Sequence, residues 1–142
     1  MTIFVPHGTL KFEIEDNIIL IEAQGPWNIE YLDYLHQKMT WAVMQVDRNN
    51  YGVLLTPKGE AISVEAGLEY HSNFVRQGST KAVALNLAHC TTALLTENLF
   101  TKIYRGANVK HAFFDNALDA RVWLEAELKT DATNVSEQIN IT

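Results

Sequence analysis

The stretch Phe113-Phe-Asp-Asn-Ala-Leu-Asp-Ala-Arg-Val-Trp-Leu-Glu-Ala-Glu-Leu128 opens on two aromatics and closes on Ala and Leu at helical spacing. The aromatics read as the end of a strand, and the change of period from two to about 3.6 marks the passage into a helix. Asp115 stands where a side chain caps the first turn, and Ala117, Ala120, Leu124 and Leu128 form the stripe that faces a sheet. Small residues in that stripe let a helix approach strands closely. A strand feeding directly into a helix is the unit from which α/β folds are built.

The same alternation runs backward along the chain. "YGVLL", "KAVALNL" and "VKHAFF" are short apolar segments lying between helical patterns rather than beside hairpin turns, which implies crossovers and parallel pairing. One helix is expected to begin at Ser63 as N-cap, with Val64, Leu68, His71 and Val75 inward and Gly78 as its stop. Another is expected from Thr92 to Arg105, with Leu95, Leu99 and Ile103 inward and Gly106 as breaker. Near the start, Leu10, Phe12 and Ile14 alternate with charged residues, and Asp16-Asn17 can turn the chain into "IILIEA", a hairpin that Gly25-Pro26 ends. Asn28 then caps a long helix whose core stripe is Leu32, Leu35, Met39, Ala42, Val43 and Val46.

The resulting order is ββαβαβαβα, with right-handed crossovers expected. It describes one α/β domain over residues 1–128, a mixed, mainly parallel sheet of about five strands with four helices. Residues 129–142 have few apolar groups and read as a loose C-terminal tail, with "VSEQINI" a candidate edge strand.

The order, the "GPWN" lead-in to the first long helix, the "YGVLL" strand and the closing 113–128 stretch together resemble the SpoIIAA-like family, relatives of STAS domains. The similarity covers residues 9 to about 128, and the matching features are structural. It implies a non-catalytic binding or regulatory module working through protein contacts or a small hydrophobic ligand. In STAS-type anti-sigma-factor antagonists a serine at the start of the second helix is phosphorylated, and Ser63 stands in the matching place. The Asp-Ser pair of that switch is missing, with Ile62 and Val64 flanking Ser63, so a capping role leads and a phospho-switch is the alternative.

Composition narrows the function classes. The chain has 142 residues and a formal net charge of −6, with no Lys/Arg cluster, which argues against a nucleic-acid partner. No window has the roughly 20 apolar residues of a membrane span. Cys90 is the only cysteine, so no intrachain disulfide can form, in keeping with a reducing cytoplasm. The sequons at Asn134 and Asn140 carry little meaning in such a chain.

An enzyme is the competing class. His89-Cys90 follows a strand end, where open parallel sheets place ligands, and a thiolate beside an imidazole is a candidate nucleophile. Consecutive residues in extended chain point to opposite faces, which separates the two groups. His7, His36, His71, His89 and His111 have no metal-ligand spacing, and no glycine pattern cradles a phosphate, so neither metal nor cofactor is expected. His71 falls on an apolar stripe and reads as a hydrogen-bonded core imidazole.

Trp27, Tyr31, Tyr34 and Trp41 lie within roughly 80° of one another at about 100° per residue, away from the core stripe of the first helix. Trp and Tyr are enriched at interfaces, so this second stripe predicts a homodimer contact, with packing of the aromatics over helix edges and flanking loops of the same chain as the equal alternative.

Overall fold

The alternating strands and helices fold into one five-stranded sheet with helices on both faces. The computed structural model describes residues 9–130. In chain order the elements are β1 (Thr9–Glu15), β2 (Ile18–Gln24), α1 (Ile29–Val43), β3 (Gly52–Lys58), α2 (Glu65–Gln77), β4 (Ala82–Asn86), α3 (Ala93–Gly106), β5 (Lys110–Phe114) and α4 (Ala117–Lys129). The strands are arranged β1-β2-β3-β4-β5, with β1 antiparallel to β2 and every other pair parallel. Asp16 makes the β1–β2 turn at φ +54, where Asp is one of the few residues other than glycine that settle readily. The Gly25-Pro26 peptide is cis.

Period-two side chains divide the core in two. Ile19, Ile21, Ala23, Val53, Leu55, Val83, Leu85 and Phe113 point to the face covered by α1, α2 and α3. Their neighbours Ile18, Leu20, Leu54, Ala82, Ala84 and Phe114 point to the face where α4 lies alone, against Ala120 and Leu124. Gly52 carries no side chain there, and a Cβ on it would come within 2.6 Å of Leu124 Cδ1. The small residues thus bring α4 close to the sheet, as the alanine stripe predicts.

Five local expectations are corrected. Asn116, not Asp115, caps α4: its Oδ1 accepts from the Asp119 amide at 2.8 Å, because a capping side chain reaches an amide three residues ahead. Ala117 is exposed in the first turn of α4, beside Asn86 and His89 at the end of β4. Leu95 is exposed on α3, whose buried face is Thr96, Phe100, Ile103 and Tyr104. Gly106 is the last residue of α3, and the chain leaves through Asn108 at φ +56. Lys129 belongs to α4. Residues 131–142, with the edge-strand expectation and both sequons, lie outside the described residues, as does His7.

Candidate functional site

The amphipathic stripes of α1 and α3 lay these helices against the sheet, but α2 makes its main contacts with the two flanking helices. Gly67 is the only fully buried residue of α2, so its side chains reach down toward the strands without its backbone closing on them. A cavity of about 80 Å³ remains beneath it. Strand residues such as Ile21, Val53 and Val83 form the floor, Leu68, His71 and Phe74 of α2 the roof, and Leu35 and Phe100 part of the walls.

The lining contains no Lys, Arg, Asp or Glu. His71 is its one imidazole, and its Nδ1 lies 2.9 Å from His36 Nε2, one ring nitrogen donating to the other across α1 and α2. Burial pushes the His71 pKa down to about 3, helped by His36, and burial lowers His36 to about 4 against a smaller opposing pull from Asp33. His36 stacks on Phe74 with ring centroids 3.9 Å apart. Both rings are therefore neutral near pH 7. Burial also raises the Tyr31 and Tyr104 phenol pKa values, so the walls carry no charge.

Two polar atoms at the cavity stand apart. Trp27 Nε1 and Ser63 Oγ are buried without a hydrogen-bond partner, the only such side-chain atoms among the described residues. The indole lies near enough to the Tyr31 hydroxyl to oppose in part the rise in that phenol's pKa, but makes no hydrogen bond to it. That hydroxyl is committed elsewhere, donating to the Thr9 carbonyl at 2.6 Å. Trp27 and Ser63 are paired as an isolated parallel bridge, with the Trp27 amide donating to the Ile62 carbonyl at 2.9 Å.

This geometry revises the role given to Ser63. Helix α2 begins after Val64, which has no side-chain cap, while Ser63 is held in extended backbone by Trp27 and turns its hydroxyl inward. The serine sits one residue too early to cap. Val64 is exposed, so the inward stripe of α2 starts at Leu68.

The aromatic stripe is also divided. Trp27 is 7% exposed and Tyr31 1%, both in the core with ring centroids 6.2 Å apart. Trp27 precedes the Asn28 cap and does not follow helical phase, while Tyr31 is covered by the edge strand β1. Tyr34 and Trp41 remain outside, at 41% and 53% exposure, with Met44 beyond them.

At the strand ends, Cys90 Sγ donates to Thr96 Oγ1 at 3.4 Å, and that hydroxyl donates to the Ala61 carbonyl at 3.1 Å. Cys90 packs on the three-helix side. His89 is exposed beside Lys11, Glu13 and Glu22 on the α4 side. Thiol and imidazole thus point away from each other, and no nucleophile–base pair forms between them. No group of three or more His, Cys, Asp or Glu is placed to hold a metal among the described residues, and no helix there is long and apolar enough to cross a membrane.

Sequence reasoning missed Phe100 and Tyr104 as cavity walls. Thr96, Phe100, Ile103 and Tyr104 do show the i, i+4, i+7, i+8 spacing of an inward face, but Leu95 and Leu99 suggest a competing phase. The unpartnered state of Trp27 and Ser63 has no signature in sequence.

No family model matches the chain, and no curated protein matches it either. Among solved structures, an uncharacterised protein of the DUF3478 family from Shewanella loihica PV-4 aligns with a TM-score of 0.58 and 13% sequence identity. The alignment covers 87% of this chain and 98% of that one, whose fold is described as SpoIIAA-like. The chain shares that SpoIIAA-like fold.

Proposed function

We propose that this SpoIIAA-like domain is a non-catalytic binding module whose ligand is a small hydrophobic molecule seated between the sheet and α1, α2 and α3. The observation that carries this reading is the apolar cavity under α2. Well-packed interiors have few voids larger than a water molecule, and an apolar void sacrifices dispersion contacts on every wall. A ligand entering it restores those contacts and removes its own apolar surface from water. The fold supports a regulatory module only in general terms.

Native mass spectrometry of gently purified protein should detect a retained small molecule, and Ala23→Leu should abolish its retention without lowering Tm, because the new side chain fills the space from the sheet side. A wild-type protein that carries no ligand and takes up no small apolar probe would refute the reading.

A second reading rests on α1. Tyr34 and Trp41 are seven residues apart, on one face, and both are exposed. They support a homodimer contact, or a protein partner, separate from the cavity. One free cysteine supports a reducing, cytoplasmic setting for either role.

A further inference from the structure

Trp27 and Ser63 leave adjacent backbone positions of a bridged pair and bring their unpartnered polar atoms to the same cavity. A buried donor with no acceptor costs on the order of 1–3 kcal/mol. Trp27 Nε1–H is a donor only, so what satisfies it must accept a hydrogen bond, whereas the serine hydroxyl can donate or accept. A single water bridging the two atoms would have the minimum of two partners and would leave the apolar walls around it without contact.

We propose, building on the ligand-binding reading above, that the ligand is a neutral molecule of about five to eight non-hydrogen atoms, given that one water fills about 10–15 Å³ of such space. It has a hydrocarbon body and one oxygen that accepts from Trp27 Nε1 and meets Ser63 Oγ, which makes it a small alcohol, ketone or aldehyde. The absence of any Lys or Arg in the lining excludes a carboxylate, which would be buried without a counter-charge. The size excludes a phospholipid or long-chain fatty acid.

The test uses the full chain and four probes: cyclohexanol, cyclohexanone, the similarly sized hydrocarbon methylcyclohexane, and charged hexanoate. Calorimetry measures affinity, and the proton resonance of the Trp27 indole N–H reports hydrogen bonding directly. Cyclohexanol and cyclohexanone should shift that resonance downfield, and methylcyclohexane should not. Trp27→Phe and Ser63→Ala should each weaken cyclohexanol roughly five- to tenfold, the loss of one neutral hydrogen bond. Ser63→Ala should leave methylcyclohexane within about twofold, which also shows that the cavity is intact, and Trp27→Phe, which shortens a cavity wall, is read as the ratio of its cyclohexanol to its methylcyclohexane affinity. Equal binding of cyclohexanol by wild type and both variants, or binding of hexanoate as tight as cyclohexanol, overturns the inference about the oxygen while hydrocarbon binding leaves the cavity reading standing. Failure of methylcyclohexane and both oxygenated probes to bind overturns both.

Discussion

Ser63 turns its hydroxyl into the cavity, and that placement reverses the effect expected of a charge at this position. A helix-capping serine tolerates Asp, whose charge suits the helix dipole. The inward hydroxyl observed here predicts the reverse, because Ser63→Asp would place a carboxylate in an apolar cavity. That variant should lose several kcal/mol of stability in denaturant unfolding, on the order of an unpaired buried charge. Ser63→Ala should be neutral or stabilising by up to about 1 kcal/mol, since it removes an unsatisfied polar group. A phospho-switch at this hydroxyl would first require α2 to lift. Cys90→Ser should cost stability through its packing while leaving cavity ligands unaffected, since the thiol joins Thr96 and Ala61 outside the lining. Rapid alkylation of native Cys90 would contradict this placement.

Helices α1 and α2 meet through two imidazoles, and their pairing predicts an acid sensitivity. Both pKa values are lowered in the folded state, so the unfolded chain binds more protons as pH falls. The stability this pair contributes is complete above about pH 6.5 and declines as pH drops toward 4. The two rings titrate as a unit, since protonating one removes its acceptor nitrogen from the other. Urea melts from pH 7 to pH 5 should therefore show a falling midpoint, and replacing both His36 and His71 by Gln should flatten the slope. A wild-type midpoint independent of pH over that range would show that the pair is not buried as described. On the opposite face, Gly52→Ala should cost about 1–3 kcal/mol, because its Cβ would drive into Leu124 between β3 and α4.

Among the described residues α1 keeps an apolar patch that the fold does not bury. Tyr34 and Trp41 on α1, with Met44 just past its end, face outward, and a two-fold contact would let this patch cover its own copy. Light scattering at tens of micromolar should give the mass of a dimer, and a Tyr34→Ala, Trp41→Ala double variant should dissociate, since aromatic anchors at contacts lose on the order of 2 kcal/mol each. A monomeric wild type would leave the patch without this role. Because Trp27 and Tyr31 lie in the core, their truncation should lower stability instead of acting on the monomer–dimer balance alone.

Strand alternation at Leu10–Ile14, the Asp16-Asn17 turn, the Asn28 cap and the strand-to-helix passage at 113–128 were all legible in the sequence, because each depends on neighbours within a few residues. Local backbone preference and period carry that information directly, and with it the order ββαβαβαβα. The inward turn of Ser63, the burial of Trp27 and Tyr31, the pairing of His36 with His71 and the space beneath α2 were settled only by tertiary packing. Each joins segments far apart in the chain, and the height at which α2 stands above the sheet follows from how α1 and α3 pack on either side of it. No residue of α2 encodes that height alone, which is why the cavity is a property of the assembled layers.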